Sequence, residues 1–373
     1  MITVRTLDTT QKKDVNAWVA LPFRLYAGNP YWVPPMVDEA KSALDRAKNP
    51  YFLHSEADFL LAEQDGEPVG RLAILENRRY NQRRQERTAF FHLFETVNDP
   101  AVAAALFEQA EAWCRQRGLD RIMGPKGFLT MDSIGMLVKG FDLRPAVEIT
   151  YNPPYYPEFM EKLGFEKETD FNSGYIRTDQ ELPERVYRIA DKVKERFGFR
   201  VEQYPDKKAL RAIVPTIIDT YNATFTDNWE FVPITPEEGE VIAGRVMQII
   251  DPKLIRLVWK GEEMAGFMIA YPNITAGIQR ARGRLLPLGW FHLLREFGRT
   301  KWVDLNGAGI LEQYRGRGVD AMMFVEASRV IREAGYKHGE VVQIRENITM
   351  FVEMRKLGVD FYKCHRVFRK DIG

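Results

Sequence analysis

The two halves of this 373-residue sequence repeat one another in order, and that repetition constrains the fold more than any single motif. In each half a short strand-like run (residues 2–5 and 200–203) leads through a Lys pair, Lys12-Lys13 or Lys207-Lys208, into an amphipathic helix. An aromatic-Val-Pro element follows, Trp32-Val33-Pro34 in one half and Phe231-Val232-Pro233 in the other. Next come two apolar strands joined by a tight turn, LLAEQDGEPVGRLAIL from Leu60 and IRLVWKGEEMAGFMIAY from Ile255, with Asp65-Gly66 and Lys260-Gly261 at the turns. Each half then has a helix stopped by Gly, residues 101–117 before Gly118 and 320–334 before Gly335. A strand and a last helix ending at Gly164 or Gly358 close the pattern.

Strand, helix, hairpin, strand, helix, strand, helix is an α/β (α+β) unit whose sheet is mixed and mostly antiparallel, flanked by helices. Duplication predicts two such units: an N-terminal one at 1–180, a helical linker at 181–198 and a C-terminal one at 199–373. The offset between the halves changes around the middle helix, which marks insertions at 272–301 and 124–147. The first mixes Arg280, Arg282, Arg284, Arg295 and Arg299 with Leu286, Leu288, Trp290, Phe291 and Leu294, a composition that suits an amphipathic lid, a packed surface helix or a dimer face.

Composition removes several classes. With 45% hydrophobic and 28% charged residues the chain is ordinary globular material, and 53 Lys+Arg against 52 Asp+Glu leave a net charge of +1. Disorder and charge-driven nucleic-acid binding are therefore disfavoured. Cys114 and Cys364 are isolated and the five His are scattered, so no disulfide framework and no metal is expected. The first residues lack a leader pattern and no run is long and apolar enough to span a membrane, so a cytoplasmic location is expected, with homodimerisation open.

The sharpest local signal is a strand at 303–311 running into Gln313-Tyr314-Arg315-Gly316-Arg317-Gly318-Val319 and then a helix. Alternating Gly after a strand and before a helix lets successive N–H groups converge, with the positive end of the helix dipole behind them and basic residues beside them. This is a cradle for a pyrophosphate. Gln-x-x-Gly-x-Gly at such a junction resembles the acyl-CoA loop of the GNAT superfamily of acyl-CoA-dependent N-acyltransferases, whose element order fits both halves. The resemblance implies two tandem GNAT-like units and an acyl-CoA or acetyl-CoA co-substrate. It further implies that Gln313, Arg315, Gly316, Arg317 and Gly318, with the backbone of Tyr314 and Val319, hold the pyrophosphate, that residues 305–311, Leu311 included, meet the pantetheine, and that Asn347 lies near the pantetheine amide. Asn347 also suits a helix N-cap.

Two departures accompany the resemblance. Many members carry a Tyr four residues before the Gly of the last helix, and here Met354 and Met160 stand there, leaving Tyr362 as the available acid. In the first half the loop position reads Val97-Asn98-Asp99-Pro100, without a Gly pair or a base, so the N-terminal unit is expected not to bind CoA. Acylating an amine needs a base, and strand alternation puts Asp304 and Asn306 on one face near the expected thioester, with Glu346 the next candidate. Tyr155 and Tyr156, in an aromatic run after residues 124–147, are candidates with Asn306 for an acceptor pocket. The expected function is an acyl-CoA-dependent N-acyltransferase, acetyl or longer, acting on a small-molecule amine. The alternatives are a non-catalytic CoA or acyl-CoA binder and an aminoacyl-tRNA-dependent transferase-like protein, the latter disfavoured by the Gly-rich loop.

Overall fold

The computed structural model describes residues 1–373. In chain order the first half forms β1 (Ile2–Thr6), α1 (Lys12–Leu25), α2 (Val37–Leu44), β2 (Glu56–Gln64), β3 (Glu67–Glu76), α3 (Arg78–Arg84), β4 (Thr88–Thr96), α4 (Pro100–Gln116), β5 (Arg121–Gly124), β6 (Met136–Lys139), α5 (Tyr155–Lys162) and β7 (Glu166–Arg177). The second forms α6 (Glu184–Phe197), β8 (Phe199–Glu202), α7 (Lys207–Ala212), α8 (Val214–Thr224), α9 (Pro236–Ile249), β9 (Arg256–Lys260), β10 (Glu263–Pro272), α10 (Thr275–Ala281), α11 (Gly289–Phe297), β11 (Trp302–Ile310), α12 (Val319–Glu333), β12 (His338–Arg345), α13 (Thr349–Lys356) and β13 (Asp360–Asp371). Local signals set these ends. Asp65 and Gly66 both take positive φ in the β2–β3 turn, and Asp99 caps α4 by accepting from the Ala101 amide ahead of Pro100.

The chain packs as two units, Met1–Asn172 with Thr275–Arg295 and Lys363–Gly373, and Ser173–Ile274 with Glu296–Tyr362. These differ in make-up from the boundaries 1–180, 181–198 and 199–373 read from the sequence. In the first unit the sheet runs β1-β2-β3-β4-β5, and the last residues of β13 lie antiparallel to β5, Phe368 opposite Gly124 and Asp371 opposite Arg121. Val367 and Phe368 are buried there, and Phe368 packs with Phe91, Leu106, Phe107 and Trp113 under α4. The insertion helix α10 joins the same unit: Gln279 donates to the carbonyls of Pro30 and Trp32, and the Val37 amide donates to Gly283 O at 2.8 Å. The 124–156 segment is scaffold in this unit, with the Asn152 side chain bonding both the amide and the carbonyl of Leu137.

In the second unit the order is β8-β9-β10-β11-β12, with residues 173–177 of β7 beside β12. Val258, Met268 and Val303 from the sheet pack against Val319, Met322, Met323 and Val330 of α12. Helix α6, expected as a linker, is part of this core through Ala190 and Val193. Its strongly amphipathic pattern finds its partner in α12, which is why it does not stand free.

The duplication extends to irregularities that no residue motif encodes. Each first hairpin shifts register just before its glycine, at Ala62/Glu63 opposite Gly70 and at Met264/Gly266. Each fourth strand carries an extra residue, where pairing jumps from Glu95 to His92 in β4 and from Gly307 to Leu305 in β11. Each fourth strand also pairs in parallel with the next for only a few residues, Thr88 to Phe90 with β5 and Trp302 to Leu305 with β12, before continuing past the end of that pairing.

Candidate functional site

In the second unit the splay of β11 from β12 begins after Leu305 and Val341, so residues 306–310 have β10 on one edge and no β12 register on the other. The bulge falls at Asn306 and interrupts the strict alternation expected of this strand. Val303 and Leu305, then Ala308 and Ile310, face the α12 core, so the parity changes by one across the bulge. Beyond Ile310 the chain makes a short turn at Glu312–Tyr314 and enters α12 through Gly316 and Gly318. Both glycines are left-handed, at φ 70° and 81°. Gly316 faces open space, whereas a Cβ on Gly318 would meet Ile189 and Val193 of α6 at 2.5 and 2.9 Å. One glycine therefore leaves room above the helix start and the other allows close packing beneath it.

The side chains around this loop are partly committed elsewhere. Gln313 donates to Glu263 at 3.0 Å, and the Tyr314 hydroxyl bonds the same carboxylate, while its ring sits 9% exposed against Phe199. Arg315 does not point its guanidinium at the expected pyrophosphate position. It donates to Ile310 O at 3.1 Å and to Thr224 O at the end of α8, where a cation also complements the helix dipole. Arg317 is exposed with its guanidinium 5.9 Å from the Tyr314 ring, leaving it the basic side chain at the loop surface. Val319 is buried in the α12 core and Leu311 bonds back through its amide to Ala265 O.

Asp304 is fully buried and accepts from the Asn273 side chain at 3.0 Å. Parallel register places Glu340 of β12 directly beside it, 3% exposed, and the Tyr362 hydroxyl donates to Glu340 at 2.8 Å. Burial, then the neighbouring Glu340, raises the Tyr362 phenol far above its usual range, so it stays protonated. Asp304 and Tyr362 thus come together in one polar cluster. Glu346 and Asn347 lie apart from it in the turn between β12 and α13, with Asn347 exposed at φ 61° and Ile348 in the N-cap position. The N-cap alternative for Asn347 is therefore replaced by a left-handed turn, which Asn tolerates. Glu340, Asn273 and Glu263 escaped the sequence reading. Glu340 was legible as a lone acid in an apolar strand, but its pairing with Asp304 needs the parallel register.

Tyr155 and Tyr156 lie in the first unit. Tyr156 is 1% exposed, so it is a core position and not a pocket wall. Its hydroxyl accepts from the Thr96 amide and donates to Glu95 at 2.9 Å, and the Tyr155 hydroxyl donates to Thr96 O at 3.1 Å. Glu95 also accepts from Tyr26 at 2.7 Å and faces Arg71 at 3.9 Å; burial raises its carboxyl, opposed by Arg71 and by both hydroxyl donors.

No family model matches the chain. It is 31% identical to the bacterial ceramide synthase of Caulobacter vibrioides over 373 residues, covering 96% of this chain and 94% of that one. It is 28% identical to protein YghO of Escherichia coli, covering 97% and 94%. Among solved structures, a tandem GNAT protein from the clavulanic acid biosynthesis pathway superposes with a TM-score of 0.57 at 11% identity, covering 100% of this chain and 99% of that one. A GCN5-related N-acetyltransferase from Sphaerobacter thermophilus gives 0.50 at 15% identity, covering 100% and 96%. The fold is that of the GNAT superfamily. The chain belongs to the family that contains the Caulobacter bacterial ceramide synthase.

Proposed function

We propose that this protein is an acyl-CoA-dependent N-acyltransferase whose acceptor is the primary amine of a long-chain base. The observation that carries the donor half is the loop into α12, where Gly316 and Gly318 hold the backbone left-handed just past a strand that has left its neighbour. Amides of that loop with Arg317 receive the pyrophosphate, and the free edge of residues 306–310 receives the pantetheine. The acceptor class is supported by the relative named as a ceramide synthase, since a ceramide is an N-acylated long-chain base.

In the reaction the amine lone pair attacks the thioester carbonyl, the C–N bond forms and the C–S bond breaks. The nitrogen sheds one proton and the leaving thiolate takes one. Asp304 is the proposed proton acceptor, reached through the polar cluster, and Tyr362 the proposed donor. A strand amide near Gly307 to Gly309 meets the carbonyl oxygen as charge develops on it.

Purified protein mixed with a long-chain acyl-CoA and sphinganine or 3-oxosphinganine is expected to release free thiol and form the N-acyl product in equal amounts, read by a thiol reagent and mass spectrometry. The double change Gly316→Asp with Gly318→Asp is expected to remove both. Absence of any bound or turned-over CoA species in the unaltered protein would overturn the reading.

A further inference from the structure

The chain exposes twelve large hydrophobic side chains, and six of them fall within residues 285–294. Leu286 is 78% exposed, Leu288 65%, Leu294 62%, and Trp290 and Phe291 about half. Such concentration on one short segment is unlike the scattered apolar exposure of an ordinary surface and marks an interaction site. The segment combines an exposed loop, residues 284–288, with α11, whose apolar side chains lie along one face. The Trp290 indole N–H donates to Pro287 O at 3.1 Å, so this ring can enter an apolar medium with its polar atom already satisfied.

Charge selects the occupant. Arg280, Arg282 and Arg284 precede the apolar segment and Arg295 follows it, and from Met264 to Arg295 there is no Asp or Glu. Apolar side chains flanked in the chain by arginine, with Glu296 near the end of α11 the nearest acid in sequence, are the composition of an interfacial helix meeting negative headgroups. The patch is held rigidly at its base, since Ile278 and Ala281 are buried and the Gly283 carbonyl is bonded by the Val37 amide. A cleft of about 1110 Å³ in the same unit has Val19, Phe23 and Trp32 on one wall and Leu286, Leu288 and His292 on the other. Residues of the patch therefore also line this cleft, together with polar groups such as Asn16, Lys41 and Arg284.

We infer that residues 280–295 dock the protein onto the surface of an anionic phospholipid bilayer, with Leu286, Leu288, Trp290, Phe291 and Leu294 entering the interface. This inference stands on the first unit alone and does not depend on the acyl-transfer reading. The full chain is mixed with vesicles of phosphatidylcholine alone or with one-quarter phosphatidylglycerol, and the bound fraction is measured by flotation.

Binding to the phosphatidylglycerol vesicles is expected, weakened severalfold by raising salt from 0.05 to 0.5 M. Leu286→Ser with Leu288→Ser, and separately Phe291→Ser with Leu294→Ser, are each expected to lower the partition at least tenfold. Arg280→Gln with Arg282→Gln and Arg284→Gln is expected to abolish the preference for the anionic vesicles. Because these side chains are exposed, the variants should melt with the parent. Equal flotation of parent and variants, or none of the parent, would overturn the inference. So would a concentration-dependent dimer, seen by sedimentation velocity, that the serine variants dissolve while vesicle binding is absent.

Discussion

The hydroxyl of Tyr156 accepts a hydrogen bond from the Thr96 amide at 2.7 Å, filling the splay of β4 with the protein's own side chain. Tyr155 bonds the Thr96 carbonyl beside it. The register that matches Gly164 with Gly358 puts Thr349 and Met350 at the corresponding places of the second half, and neither carries a phenol. The first unit has closed the strand edge that the second leaves open, and its loop begins with Asp99 and Pro100 where converging amides would be needed.

Tyr156→Phe is accordingly expected to cost about 1–3 kcal/mol, because the buried Thr96 amide loses its hydroxyl partner and Glu95 one donor. Urea unfolding would measure the cost. Calorimetry on the parent is expected to give one CoA site per chain, and two equivalent sites would contradict the assignment of the donor to the second unit.

The two loop glycines should respond differently. Gly316→Asp adds a negative charge in open space and is expected to weaken CoA binding at least tenfold with little change in melting temperature. Gly318→Val meets Ile189 and Val193 at a left-handed position and is expected to destabilise by roughly 1–3 kcal/mol. Parallel melting curves and CoA titrations separate the two outcomes.

Asp304→Asn is expected to lower kcat about 10²- to 10⁴-fold at neutral pH while leaving the CoA Kd nearly unchanged, the signature of a lost proton acceptor. Glu346→Gln, placed away from the Asp304 cluster, is expected to retain most activity. Equal activity in the Asp304 variant would move the role elsewhere.

His365 supplies a pH signature in the first unit. It is fully buried, its Nε2 bonded to Thr150 O at 3.0 Å, and burial pushes its imidazole down to about 4. An unfolded imidazole takes its proton near pH 6.5, so between about 6.5 and 4 the unfolded chain binds a proton that the native state refuses. Stability should fall through that window by about 3 kcal/mol in total. Urea midpoints at pH 7.5, 6 and 4.5 are expected to show a shallower decline in His365→Gln than in the parent.

Local chemistry made much of this protein legible in advance. Turn pairs, an N-cap before Pro100 and glycines after helices set the hairpin turns and the ends of α4 and α12 to within a residue or two, because those signals act between neighbours in the chain. The closing strands β7 and β13 lie beyond the last such signal and outside the element order read from the sequence. Ordered repetition of those signals was enough to give the duplicated α/β unit, and Gly316 and Gly318 are readable because a left-handed helix entry needs glycine whatever surrounds it. Four things lay beyond that reach, each set by contacts far apart in sequence. The partner of β13 is β5, chosen by where Phe368 can be buried. Glu340 joins Asp304 only through parallel register, and the bulge at Asn306 changes strand parity without a residue to announce it. Arg315 turned to the end of α8 because free carbonyls stood there, and only the folded chain brings Thr224 within its reach.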